Sequence, residues 1–497
     1  MGVKPILSRP RVLLITVVCA LVGLVAALTA ASTSVRPITA RGATTLDHGS
    51  VSVLGGAGPE LALSTSRSLF TSSPIAVVVN ARTEPATWTK IAQSAAAAHA
   101  PVLTAHEGNA DAISAELRRL GVGKVFLVNS PPGVDVGSAT TVAGLPEVGD
   151  VEPQAPAAGA PLVLTTPSTP LDSLATAQAS GAQIVRAAAA DPRADGETVR
   201  ILRTSSNRPI RAIGSEFGSD AQLAERISIA RTQTELPGGG QLVFPGRRFL
   251  ALYGSPGAPS LGPLGRQNLP GSINRAKGLA AQYQPLSPVP VVPTFEIIVT
   301  VASSEPGIGN NYTTMIDPRE IRPWVIAARD AGVYVTLDLQ PGRMDFLTQA
   351  RQYADLLREP NVGLALDPEW RLKPDQVHLT QIGSVDADEV NRTSQWLAEL
   401  TRSNKLPQKA FVLHEFDPDM LGRRDRIITD RPELATVIHA DGHGIPSVKM
   451  ATWRRMTADL PPRVWMGWKN FYTEDKPPFS PAQTMAVGPT PYFISYQ

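Results

Sequence analysis

Residues 362–371 read Val-Gly-Leu-Ala-Leu-Asp-Pro-Glu-Trp-Arg, an apolar run that gives way at once to two acids and a proline. A short run of this kind, closed by a polar turn, is the pattern of a strand covered on both faces, as in a parallel sheet under helices. Outward from it, in both directions, the pattern repeats. Apolar runs ending in polar residues occur at Phe249–Tyr253, Phe295–Ala302, Val333–Leu339, Val362–Asp367, Ala410–His414, Thr436–His439, Val464–Trp468 and Tyr492–Tyr496. Helical spacing fills most gaps, at Ile273–Tyr283, Arg319–Asp330, Phe346–Arg358, Ala387–Thr401 and Pro446–Thr457. Eight strands with intervening helices in about 250 residues match a (β/α)8 TIM-like barrel over 241–497. A doubly wound open sheet is the other arrangement, though it rarely takes eight consecutive units. No eighth helix is expected behind the final strand.

In such a barrel the C-terminal strand ends face one another and carry whatever chemistry there is. The third strand ends Leu337-Asp338-Leu339-Gln340 and is followed by Arg343. The fifth ends His414-Glu415, the sixth His439-Ala440-Asp441, the seventh Trp468-Lys469, and the eighth supplies Tyr496. Glu296, Glu305 and Asp345 lie in or near the same rim. Asp367 and Glu369 are two apart, so their side chains share a side if the strand continues. Neighbouring carboxylates push their pKa values apart, leaving one protonated and one ionised, which is what glycosidic cleavage needs. Asp367, Glu369 and Asp338 are therefore the catalytic candidates. Gln340, Arg343, Trp370, His414, Glu415, His439, Asp441, Trp468, Lys469 and Tyr496 are the substrate-binding candidates, with Trp370 and Trp468 offering apolar faces to sugar rings. The competing reading has Asp367 capping the following turn and Glu369 paired with Arg371.

The spacing Gly363-x3-Asp367-x-Glu369 resembles the end of the catalytic motif in the chitinase family of glycoside hydrolases. That resemblance implies Glu369 as proton donor and Asp367 as its orienting partner. Val362 and Ala365 stand where the family carries acidic residues. His414 and His439 end adjacent strands, a placement seen in barrel metallohydrolases of the amidohydrolase type. The first strand, however, offers Leu252-Tyr253-Gly254 instead of a His-x-His pair, and the eighth has no Asp. No metal and no cofactor are therefore expected. His439-x-Asp441-x-His443 is the compact candidate cluster that remains. There is no Gly-x-Ser-x-Gly elbow, and the Pro/Gly-rich stretch after Tyr253 lacks the Gly-Lys-Ser/Thr of a phosphate cradle.

Upstream the texture changes. All eight tyrosines fall at or after Tyr253, and six of seven tryptophans at or after Trp324. The first half alternates short strands (Ile75–Val79, Pro101–Thr104, Lys124–Val128, Leu162–Thr165, Gln183–Val185, Ile210–Ile213) with helical stretches (Trp88–Ala98, Ala110–Leu120, Leu171–Ser180). That alternation argues for an α/β domain with a parallel sheet over 61–240. A Pro/Gly/Ala-rich stretch, 131–161, separates two units that each begin with a strand, a polar turn and a helix. The order of an Ala-rich helix ending Ala96-Ala97-Ala98-His99-Ala100, the strand Pro101-Val102-Leu103-Thr104, the helix end Ala115-Glu116-Leu117-Arg118-Arg119-Leu120-Gly121 and a further strand from Lys124 resembles the type 2 cell wall-binding repeat of exported bacterial proteins. The Leu162 unit resembles a second, more degenerate copy. Over about residues 60–235 this resemblance implies a non-catalytic wall-binding module. Val128-Asn129-Ser130 stands where the family usually carries a glycine pair.

Lys4, Arg9 and Arg11 precede the apolar run Val12–Ala31. A basic flank before about 30 Å of apolar helix is an export signal or a membrane anchor over 1–31. Residues 32–60, rich in Ser, Thr, Gly and Ala, read as a tether. The protein is thus expected outside the cytoplasm, anchored or secreted and associated with the cell wall. With 46 basic and 44 acidic residues the charge is +2, so no nucleic-acid partner is expected. One cysteine excludes a disulfide framework. The expected partner is a cell-wall polysaccharide, bound or hydrolysed by the barrel. The alternative is a non-catalytic surface protein with a degenerate barrel.

Overall fold

The computed structural model describes residues 49–147 and 159–497. The basic, apolar segment 1–31 lies outside the described residues. No helix among the described residues is long and apolar enough to cross a membrane.

Among its described residues the first half holds eight strands: β1 (Val51–Leu54), β2 (Ile75–Asn80), β3 (Val102–Ala105), β4 (Lys124–Val128), β5 (Thr140–Ala143), β6 (Leu162–Thr165), β7 (Gln183–Arg186) and β8 (Ile210–Ile213). They form two four-stranded parallel sheets, ordered β3-β2-β4-β5 and β1-β8-β6-β7. The apolar, β-branched run of β2 is fully buried up to Val79, as a central parallel strand requires. The helix Leu171–Ala179 ties the two units together, because its small residues permit close approach. Thr176 Oγ1 donates to Val102 O (2.7 Å) and accepts from Val102 N (2.9 Å).

Two expectations from composition are corrected here. Residues 51–54, assigned to the tether, pair in parallel with β8, and the helix Pro59–Leu69 begins before residue 61. Residues 140–143, assigned to the separator, extend the first sheet beside β4. Two further helices, Gly196–Thr204 and Asp220–Thr232, start on side-chain caps. Asp195 accepts from Thr198 N at 2.8 Å, and Ser219 forms a reciprocal capping box with Gln222.

The second half is a closed barrel. Its strands are β9 (Arg248–Gly254), β10 (Val291–Ala302), β12 (Tyr334–Leu339), β13 (Val362–Leu366), β15 (Lys409–Glu415), β17 (Leu434–Ala440), β18 (Trp465–Asn470) and β19 (Phe493–Tyr496). The short β11 (Thr313–Met315) pairs antiparallel with β10, and β14 (Val385–Asp386) pairs with β16 (Leu421–Gly422) among the loops. The eight long strands pair in parallel round the ring, and β9 closes it by pairing with both β19 and β10. The α/β class, the parallel sheets and the eight-stranded barrel are thus as the hydrophobic pattern requires. After β15, a gap for which the sequence offers no helical segment, the chain makes two single 3-10 turns, Pro418–Met420 and Arg424–Arg426.

The barrel floor is sealed by the segment that enters it from the first half. Phe244 packs on Phe249, Trp465 and Tyr492 with ring centroids 5.2–5.5 Å apart. With Val243 it caps a core of inward residues that includes Ala251, Tyr334, Ala365, Val412, Val437 and Phe493. The lumen is therefore packed below and polar above, which gathers the polar candidates at the C-terminal end.

Candidate functional site

Alternation along each strand decides which rim residues enter the lumen. On β9 the inward set Phe249, Ala251 ends in Tyr253. On β10 a lone acid, Glu296, interrupts an apolar strand. From β12 comes Asp338, from the end of β13 Asp367, from β15 His414, from β17 His439 with Asp441 just beyond, from β18 Lys469 and from β19 Ser495. Gly467, inward on β18, leaves room for the His439 ring, which a Cβ there would overlap.

All of these side chains except Asp367 form one connected network. His414 Nδ1 pairs with Asp441 Oδ2 at 2.6 Å and its Nε2 with Glu296 Oε1 at 3.1 Å. Asp338 Oδ1 lies 3.8 Å from His414 Nε2, and Tyr253 OH donates to Asp338 Oδ2 at 2.9 Å. His439 Nδ1 is 3.1 Å from Asp441 Oδ1 and 3.4 Å from His414 Nδ1. On its other side, His439 Nε2 meets Ser495 Oγ at 3.2 Å. Lys469 Nζ sits 3.4 Å from Asp441 Oδ2 and 3.8 Å from the centre of the Tyr253 ring. Glu296, Asp338, His414 and His439 have no exposed surface.

Charge is distributed unevenly within this buried set. Burial pushes Asp441 upward, but His414, Lys469 and His439 outweigh it and hold its carboxyl well below the usual range. Burial would deprotonate His414, yet Asp441, Glu296 and Asp338 raise its pKa well above the ordinary imidazole value. Asp338 goes the other way, to about 6, because burial and the Glu296 charge exceed the help from His414. Asp367 is pushed well up by burial and by Asp338, Glu369 and Asp441, against His414. Burial and Asp441 raise Glu369 as well. Carboxylates held in opposite protonation states within one cluster are the arrangement acid–base chemistry uses.

The strand pairing of Asp367 and Glu369 is corrected. β13 stops at Leu366, and Asp367 accepts from Glu369 N at 3.3 Å, capping the turn Pro368–Trp370. Arg371 bonds Glu389 (3.0 Å) rather than Glu369. Glu369 is left partly exposed beside a groove of about 320 Å³ lined also by Trp370 and residues 378–382. Trp370 stacks obliquely on His378, ring centroids 5.4 Å apart. The loop's ends are pinned where Gly383 N donates to Glu369 O at 2.7 Å. A larger surface hollow of about 550 Å³, beside the helix Leu269–Tyr283, contains no acid.

Glu415, Trp468 and Tyr496 lie outside the lumen because they have the opposite parity on their strands, and the other candidates below lie beyond the strand ends. Glu415 points outward and pairs with Arg424 at 2.8 Å; burial raises it to about 7. Trp468 packs between barrel and helix, 5.3 Å from Trp453, and donates Nε1 to Asn470. Tyr496 OH meets Tyr283 OH at 2.6 Å on the outer face. Gln340 is buried between β10 and β12, accepting from Ala302 N. Arg343 spans two loops, donating to Gln376 O over the Tyr312 ring. His443 is exposed and stands against Phe471, so it does not complete a cluster with His439 and Asp441. Asp345 caps the helix Phe346–Gln352 through Thr348 N, and Glu305 is exposed on a loop.

Tyr253 and Ser495 are site residues that pattern reading passes over, and Glu296 one that it leaves among the rim acids. For Glu296 the signal was present, since a single charge inside an apolar strand must face something that compensates it. Tyr253 and Ser495 carry no such signal. A comparison with protein-family models finds no match, and a search of curated proteins finds no similar sequence.

Proposed function

We propose that the barrel is an acid–base hydrolase acting on a glycosidic bond of an envelope polysaccharide, with Glu369 as the proton donor. The observation that carries this reading is the placement of Glu369. It borders an open groove with Trp370 on one side and lies within electrostatic reach of Asp441, Lys469 and His414 of the lumen network on the other. Burial and the Asp441 charge favour its protonated form, as a leaving-group acid requires. The indole of Trp370 gives a sugar ring an apolar face, and Asp367, held by its bond from Glu369 N, orients the turn on which the acid sits.

The first half is proposed as a wall-binding module that keeps the barrel on its polymer, from a position outside the cytoplasm. Support comes from the two like sheets, each built from strand–turn–helix units, and from the apolar, basic-flanked N-terminus in the sequence.

The test is release of reducing ends from purified cell-wall polysaccharides and chitin oligomers by the full-length chain. Glu369→Gln is expected to lower release at least 100-fold with wall binding retained. Because the donor must be protonated, activity is expected to fall as pH rises through the raised pKa of Glu369. Release by wild type and mutant alike removes Glu369 as the donor; release by neither, with wall pull-down intact, removes the enzymatic reading and leaves the binding one.

A further inference from the structure

Burying four carboxylates in one lumen requires a compensating charge. Glu296, Asp338, Asp367 and Asp441 share one ammonium, that of Lys469, 3.4 Å from Asp441 Oδ2, with the His414 imidazole between Asp441 and Glu296. Within that set Glu296 has no exposed surface, and its Oε2 has no hydrogen-bond partner among the described residues, nor does Asp338 Oδ1. A fully buried carboxylate oxygen with nothing to accept from is rare, because the desolvation is uncompensated. Two imidazoles share the spot. One atom each from Glu296, His414 and His439 can be chosen so that all lie within 4.8 Å of one another.

We propose that Glu296, His414 and His439 bind a divalent first-row transition ion, with zinc the best match. Two imidazole nitrogens and a carboxylate oxygen are the donor set such ions favour over magnesium or calcium. Ligands of one tetrahedral zinc stand about 3.3 Å apart, so the three side chains close on an ion by shifts of about 1 Å. The three ligands come from β10, β15 and β17, rigid barrel strands, and the remaining partners of the rings fit a supporting role. Asp441 Oδ2 holds Nδ1 of His414, leaving Nε2 on the Glu296 side for the ion, and Ser495 Oγ meets Nε2 of His439, leaving its Nδ1. Sequence spacing had argued against a metal because the first strand lacks a His-x-His pair. The Glu296 strand supplies the third ligand instead.

This inference does not rest on the glycan reading. The test uses the full-length chain, stripped with EDTA, desalted, and titrated with zinc chloride or cobalt chloride alone. The expected result is about one zinc retained per chain, a higher melting temperature with zinc, and visible d–d absorption with cobalt. Glu296→Gln and His439→Asn are expected to weaken zinc binding at least tenfold, while His443→Asn, on the exposed loop, binds as wild type does. If a lumen variant does not fold, the wild-type melting shift and cobalt spectrum still decide. No retained zinc and no shift would show that protons alone balance the cluster and would overturn the proposal. Zinc lost in His443→Asn but kept in Glu296→Gln would overturn it too. A metal-free chain that still releases reducing ends through Glu369 would leave the glycan reading standing.

Discussion

Lys409 is a buried charge on the barrel's outer wall. It has no exposed surface, and its Nζ donates to the carbonyl oxygens of Glu359 (3.0 Å) and Val362 (2.7 Å). Neutral acceptors cannot repay a buried ammonium, so burial drives its pKa down to about 7. The unfolded chain keeps a lysine near its ordinary value and binds the extra proton between the two values. Stability is therefore expected to rise with pH from about 7 toward 10, with a contribution of up to about 1.4 kcal/mol per pH unit. Chemical denaturation at several pH values checks this, and Lys409→Met should remove the rise. At the same scale, Tyr496→Phe is expected to leave any catalysis unchanged, because its hydroxyl meets Tyr283 outside the lumen. Parallel kinetics on that variant and on Glu369→Gln separate the two faces of the barrel wall.

Among the elements, the segment that seals the floor is under the tightest packing constraint. Phe244 is 3% exposed and touches three aromatic rings at the bottom of the lumen. Phe244→Ala removes that contact where neither strand nor helix can collapse into the space. A loss of about 3–5 kcal/mol is expected, read by denaturant titration. The eight barrel strands were legible because each is a mostly apolar run that gives way to polar or turn residues at its end. The edge strands β1 and β5 were not, since one reads Val-Ser-Val-Leu beside glycines and the other is largely exposed. An edge strand needs only backbone pairing from its neighbour, and composition does not report that.

Across the whole molecule, the two halves meet through backbone bonds along 235–247. Gln241 N donates to Arg193 O at 2.7 Å, and Gln408 N donates to Gln241 O at 2.9 Å, linking module, connector and barrel in series. Gly246 passes so close to the Ala194 carbonyl oxygen that a Cβ would overlap it. Gly246→Ala is therefore expected to loosen the joint. Calorimetry should show one transition in the wild type and two in the variant, with proteolysis appearing in the connector.

The succession of apolar runs by itself determined the α/β class, the parallel order and the closed barrel, since a two-sided buried strand must be apolar along its length. It also placed Asp338, His414, His439, Asp441 and Lys469 at strand ends that converge. Tertiary structure alone decided which neighbours face inward. Glu415, Trp468 and Tyr496 sit one residue from lumen positions, and a shift of one along a strand moves a side chain to the opposite face. The end of β13 at Leu366 likewise turned Asp367 into a cap and freed Glu369 for the groove. Local pattern sets where a strand runs. The closure of the ring sets which side of it is the site.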